Sequence, residues 1–191
     1  GQNSPVDPQS VIPAKGRADV WVFDVNKLGA SLGGEPETIV TLFADTPRAL
    51  AVSPDGSKVF AAAFHSGNKT TAVHQVSNAL KATPDTTSQG VEAPLTGYIF
   101  QFRDGHWRDE ANNIFDDKAK INLPDYDVFT LDAASTQVTE IAKVSGVGTT
   151  LFNMVVHPQS GDLYVSNTDS RNHIRFEGKS ESRSTVRNQF I

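Results

Sequence analysis

The stretch that decides the fold is Arg48-Ala-Leu-Ala-Val-Ser-Pro-Asp-Gly56, followed by Lys58-Val-Phe-Ala-Ala-Ala-Phe64. An apolar run stops at a proline, whose fixed φ and missing N–H end strand pairing. Ser53-Pro-Asp-Gly56 is a turn sequence, with Pro presetting φ and Gly tolerating a positive φ. A second apolar run then returns. The same grammar recurs as Leu151-Phe-Asn-Met-Val-Val-His-Pro158 and Asp162-Leu-Tyr-Val-Ser-Asn167. Pro54 and Pro158 stand 104 positions apart, as do Asn68 and Asn172.

Working outward, each copy is preceded by two more strand-like runs. Asp19-Val-Trp-Val-Phe-Asp24 and Thr38-Ile-Val-Thr-Leu-Phe43 lead into the first copy; Asp127-Val-Phe-Thr-Leu-Asp132 and Val138-Thr-Glu-Ile-Ala-Lys143 lead into the second. Asp24 and Asp132 are 108 positions apart, so only a small loop difference separates the copies. An internal repeat of four short strands fixes the architecture before any single residue does. Each copy reads as a four-stranded β-meander that must stack its faces against neighbouring sheets.

Between the copies, from about residue 69 to 122, the pattern loosens. Thr70–Val76 reads as a strand leaving the first unit, residues 77–95 as a long Thr/Ser/Pro/Gly-rich loop with one helical turn around Asn78–Lys81, and Tyr98–Phe102 as a further strand. Asp104-Gly105 reads as a hairpin turn, followed by an aromatic and acidic excursion to Asp117. Residues 179–191 are polar and aperiodic, and read as a linker or the start of another segment.

The bulk composition narrows the function classes. Twenty-two acidic residues against 17 basic ones give a net charge of −5, which offers no electrostatic case for nucleic acid or an anionic membrane. No apolar run approaches a membrane span. Cysteine is absent, which excludes disulfides, thiolate metal sites, a cysteine nucleophile and C-x-x-C-H haem attachment within this chain. No charged segment followed by an apolar one opens the sequence, so an export signal is expected upstream or already removed.

The repeats resemble the YVTN blade of exported β-propellers. Tyr164-Val-Ser-Asn167 fits that family's Tyr-Val-x-Asn strand, with His157-Pro-Gln-Ser-Gly161 in place of its Ser-Pro-Asp-Gly turn; Ser53-Pro-Asp-Gly56 fits the turn, with Phe60-Ala-Ala-Ala63 in place of the strand. Phe43–Val52, Phe64–Asn68, Leu123–Phe129, Gly148–Met154, Tyr164–Thr168 and Asn172–Gly178 are similar to large exported proteins in which such a propeller precedes a c-type cytochrome region related to di-haem peroxidases. The resemblance implies an all-β partial propeller over residues 1–178. It would comprise about two four-stranded blades with inserted loops at about 69–122, begin mid-blade, and be completed by blades of the same protein or another chain. It implies a periplasmic or cell-surface location and a non-catalytic scaffold or binding role. The alternatives are an accessory propeller of a haem-dependent oxidoreductase, its haem in a neighbouring domain, or a surface-layer or adhesion module.

Candidate sites are few. Asp104, Asp109, Asp116 and Asp117, with Glu110, Asn112 and Asn113, form an oxygen-rich loop of the kind that holds Ca²⁺, although the spacing matches no EF-hand. Asp125 and Asp127 beside Tyr126 are a second, weaker candidate. His65, His74, His106, His157 and His173 show no ligand spacing; His157 reads as a turn residue. No G-x-S-x-G elbow or phosphate loop occurs, so no catalytic residue and no bound cofactor other than Ca²⁺ is expected within the chain. The strand aromatics Trp21, Phe23, Phe60, Phe64, Phe100, Phe102, Phe129, Phe152 and Tyr164 are expected in the core, and Trp107 over a face or on a partner. Arg48, Arg171 and Arg175 are candidates for ordering blade contacts.

Overall fold

The computed structural model describes residues 18–67, 69–73, 89–90, 98–109, 111–119 and 122–170. The described residues are all-β, with no helix among them and antiparallel pairing throughout. They fall into two compact units, one built from residues 18–67 and 122–169, the other from residues within 69–119 with Ser170. The helical turn expected at Asn78–Lys81, the segment 179–191, and Asn68, His74, Glu110, Arg171, Asn172, His173 and Arg175 lie outside the described residues.

The first unit contains eight strands: β1 (Ala18–Val22), β2 (Thr38–Leu42), β3 (Pro47–Val52), β4 (Lys58–Ala63), β8 (Val128–Asp132), β9 (Thr139–Val144), β10 (Thr150–Val156) and β11 (Leu163–Thr168). The repeat is visible in the register. Val52 pairs with Val59 and Val156 with Leu163; Leu50 pairs with Ala61 and Met154 with Val165. Both hairpins also carry an irregularity at the same place, between Pro47 and Ala49 in one and between Leu151 and Asn153 in the other. Such an irregularity bends a strand and increases its twist.

The sheets are out of phase with the sequence copies. The repeat alone puts the four runs of one copy in one sheet. Instead, the four-stranded sheet has the order β3-β4-β8-β9, the last two strands of the first copy followed by the first two of the second. β4 joins β8 through Lys58↔Asp132, Val59↔Leu131, Phe60↔Thr130, Ala61↔Phe129 and Ala62↔Val128. β1-β2 and β10-β11 form two-stranded sheets.

Strand side chains alternate between faces, and the middle sheet uses both. With β1-β2 it closes a core of Ala18, Val40, Leu42, Ala44, Ala61, Ala63, Phe129 and Leu131. With β10-β11 it closes another, of Ala49, Ala62, Val128, Leu151 and Met154. The run of alanines in β4 therefore has a packing reason: a strand covered on both faces needs small residues where neighbouring sheets approach closely. The loop before β10 is equally tight. A Cβ on Gly148 would stand 2.6 Å from Asn167 Oδ1 and 2.9 Å from its Cβ.

The turn after β3 is organised by Asp55. One carboxylate oxygen accepts from Ser53 Oγ (2.6 Å) and the Ser57 N–H (3.1 Å), the other from Ser57 Oγ (2.8 Å). Ser53 Oγ in turn accepts from the Lys58 N–H (2.9 Å). The Ser53 bond, followed by those from Ser57, lowers the Asp55 pKa from 3.8 to about 2. A carboxyl held below its unfolded pKa contributes stability that is complete above the unfolded value and is lost as pH falls through the folded one. A carboxyl-detected NMR titration should therefore place the Asp55 midpoint near 2. Asp55→Asn should flatten the acid loss of stability between 3.8 and about 2; an Asp55 midpoint near 3.8 would contradict this.

The second unit is a three-stranded sheet, β5 (Thr70–Val73), β6 (Tyr98–Arg103) and β7 (His106–Arg108), in the order β5-β6-β7. Asp104 (φ 51°) and Gly105 (φ 77°) make the turn between β6 and β7; two successive positive φ angles suit the twist of a hairpin. The core holds Phe100, stacked on Phe115 at 4.8 Å, and Trp107, edge-on to Phe102 at 5.5 Å.

Candidate functional site

The oxygen-rich excursion lies on and after the β6-β7 hairpin, and Asp109, Asp116 and Asp117 are engaged locally. Asp109 takes the Asn113 N–H on one oxygen (2.8 Å) and the Asn113 side-chain amide on the other (2.9 Å). Arg103 Nη2 donates to the Asp109 carbonyl (3.1 Å) and to Asn112 Oδ1 (3.3 Å), and Arg108 Nη1 to the Asn112 carbonyl (3.2 Å). Asn112 has a φ of 71°, which Asn tolerates better than most residues. Asp117 pairs with Lys118 at 2.8 Å. Asp104 is exposed in the hairpin turn. Among the described residues, no three of His, Cys, Asp and Glu gather as a metal-holding group; Arg103 and Arg108 hold the loop through the Asp109 carbonyl and Asn112.

Asp116 has a different task. One oxygen accepts the Trp107 N–H (2.7 Å), and the other lies 2.7 Å from His106 Nδ1. The His106 bond, then the Trp107 bond, hold the Asp116 carboxyl below its ordinary pKa. The pairing closes the return from β7, where the Phe115 N–H donates to the Trp107 carbonyl at 2.8 Å. A carboxylate that orients an imidazole is the orienting half of a general-base arrangement. Both side chains are more than two-fifths exposed, so the contact itself contributes little to stability.

Trp107 differs from the expectation that it lies over a face or on a partner. It is buried in the core of its own unit, against Phe102. On β7, this buried Trp supplies a large apolar surface to that small unit.

In the first unit, Asp127 is fully buried, and one carboxylate oxygen accepts the N–H groups of Val147 and Gly148. Its backbone is also committed: its carbonyl accepts from Ala63 N–H at 2.8 Å and its N–H donates to Val144 at 2.7 Å. Asp127 therefore ties β4, β9 and the β9–β10 loop together. Ser66 Oγ donates to the Gly148 carbonyl (2.6 Å), holding the same loop to the end of β4. Asp19, the counterpart of Asp127 in the first copy, is also buried and accepts from Thr41 Oγ1 at 2.8 Å. Tyr126 carries Lys143 over its ring at 4.6 Å, and the Glu140 bond to Lys143 raises that lysine's pKa.

His157 sits in the second turn, where Nδ1 is the acceptor facing the Gln159 and Ser160 N–H groups at 3.3 and 3.1 Å. It fills the role of Ser53 in the first turn. His65 stacks edge-on against Phe64 at 4.4 Å. Arg48 lies 4.5 Å over the Phe64 ring, a cation–π contact within one unit.

The strand aromatics divide. Phe100 and Phe129 are buried as expected, but Trp21, Phe23, Phe102, Phe152 and Tyr164 are substantially exposed. The physical reason in the first unit is coverage. The middle sheet has a neighbour on each face, whereas β1-β2 and β10-β11 have one face each without a sheet among the described residues. These uncovered faces carry exposed apolar side chains, among them Trp21, Phe23, Val155 and Tyr164. No family model, no curated protein and no solved structure matches the chain.

Proposed function

We propose that the chain is a segment of a β-propeller that serves an exported protein as a non-catalytic binding or docking scaffold, of the kind its YVTN-like repeats resemble. One observation carries this reading: a four-stranded sheet drawn from both sequence copies is flanked by half-sheets, with a separate apolar core on each side. In a propeller, radially arranged four-stranded sheets bury their faces only against the next sheet. A repeat whose strands are shared between adjacent sheets links each sheet covalently to its neighbour. The acidic side chains described above serve turns and loops, which agrees with a scaffold more than with an active centre.

Electron microscopy of the full-length natural protein tests the architecture. The expected image is a ring of sheets around a central channel, and a two-layer sandwich would overturn it. The catalytic alternative is tested on the same preparation by absorbance and by peroxide turnover. Turnover abolished by substitutions at His106 or Asp116 would overturn the non-catalytic reading.

A further inference from the structure

We propose that a second copy of this chain docks by pairing its β1 edge with the β11 edge of the first, completing a four-stranded sheet in the order β10-β11-β1-β2. The in-chain template is the middle sheet. β3-β4 is the counterpart of β10-β11, with the same register and the same irregularity, and β8 is the counterpart of β1 through Asp132 and Asp24. β4 pairs with β8; the corresponding partners, β11 and β1, are edge strands with no other pairing among the described residues. Transferring the observed register predicts Leu163↔Phe23, Tyr164↔Val22, Val165↔Trp21 and Ser166↔Val20 between copies.

The exposed side chains give an independent reason. Five uncovered apolar groups have better-covered counterparts in the repeat. Trp21 and Phe23 occupy the positions of Phe129 and Leu131, which are buried under β1-β2. Val155 and Tyr164 occupy those of Ala51 and Phe60, which pack against the second core. Leu50 is 58% exposed, whereas its counterpart Met154 is 8% exposed. A single docking step supplies the missing neighbour to all three patches. The edges also lack charged or proline guards: β11 (Leu-Tyr-Val-Ser-Asn-Thr) contains neither, β1 has only the buried Asp19, and the irregularity of the β10-β11 hairpin recurs in β3-β4, where β4 pairs with β8 all the same. Edge strands that must stay unpaired ordinarily carry Lys, Pro or a bulge. Because the two surfaces differ, the contact is heterologous and adds copies head to tail, closing into a ring if the rotation per copy allows.

The inference rests on the observed strand phase and goes beyond the scaffold reading. The absence of cysteine makes its test clean. Directly opposed antiparallel residues have Cα atoms about 4.5–5.5 Å apart, within disulfide reach. Val22→Cys and Tyr164→Cys chains, mixed and oxidised, should give the heterodimer as the main cross-linked species. Each variant alone should give none, because in a head-to-tail contact a thiol at position 22 faces position 164 and never position 22 of the other copy. Val22→Cys with Ser166→Cys, two residues out of register, should lose most of the product. Sedimentation of the unmodified chain should show association that Tyr164→Lys abolishes while the circular dichroism stays unchanged. A chain that remains monomeric with no heterodimer, or a Val22→Cys variant that cross-links equally well to itself, overturns the inference. Heterodimer without a ring in the microscope would sink the propeller and leave this pairing; a ring closed within one longer chain, without cross-links between copies, would do the reverse.

Discussion

Phe129→Ala should lower the unfolding free energy of the chain by about 3–5 kcal/mol, the usual cost of removing a fully buried aromatic ring. Its repeat counterpart gives the contrast. Trp21→Ala removes a larger ring from the equivalent strand position, yet in the isolated chain it should cost no more than about 1 kcal/mol. Phe129 is 0% exposed and Trp21 42% exposed. Phe129 packs with Ala18, Val40, Leu42 and Leu131, so its loss leaves a cavity between two sheets that cannot easily collapse. Trp21 stands on the uncovered face of β1-β2, with Phe23 at 6.3 Å as its aromatic neighbour. Since domains are stable by only about 5–15 kcal/mol, the first change removes a large part of the total. Urea denaturation of both variants at low protein concentration decides it. Equal losses would mean that Trp21 is covered in solution and that the burial asymmetry between the copies is false.

The same pair shows what was legible in the sequence. The strands were legible, because Pro54 and Pro158 end apolar runs and Asp24 and Asp132 mark equivalent strand ends. The two turns were legible for the same reason, and Ser53 and His157 both accept from nearby backbone N–H groups. The phase between copies and sheets was not. A repeat reads the same whichever strand is taken as its first, and the pairing of β4 with β8 spans the whole interruption, so no local signal marks it. The fate of the aromatics follows from that phase: Trp21 and Phe129 share a sequence environment and differ only in whether a neighbouring sheet lies above them. In the acidic excursion, composition points to cation ligands, and the structure adds local tasks that composition does not show: Asp109 accepts from Asn113 and Asp116 from Trp107. Short loops leave backbone N–H groups unpaired, and nearby carboxylates are the strongest acceptors available to them. The His106–Asp116 pair escapes sequence reading because a strand and a turn separate its members, and it matches no spacing rule.

Asp127 should be the most sensitive polar position. Asp127→Ala removes the acceptor shared by the Val147 and Gly148 N–H groups, both of which the Asp127 side chain holds from the buried end of β8. Leaving a buried donor unsatisfied costs about 1–3 kcal/mol, and a hydrogen bond to a charged group contributes about 1.5–3 kcal/mol. The expected loss for Asp127→Ala is therefore about 3–5 kcal/mol, at the level of breaking a buried charged network. Asp127→Asn keeps a carbonyl oxygen at the same reach and loses only the charge, so it should cost about 1–2 kcal/mol. Denaturation midpoints separate the two, and amide hydrogen exchange locates the effect. Val147 and Gly148 should lose protection in the alanine variant and keep most of it in the asparagine variant. Because Gly148 also accepts from Ser66 and the Gly67 N–H donates to Thr149, the loss should spread to residues 66–67 at the end of β4. Exchange confined to Val147 and Gly148 would show that Asp127 only caps its own loop and does not tie the two sheets together.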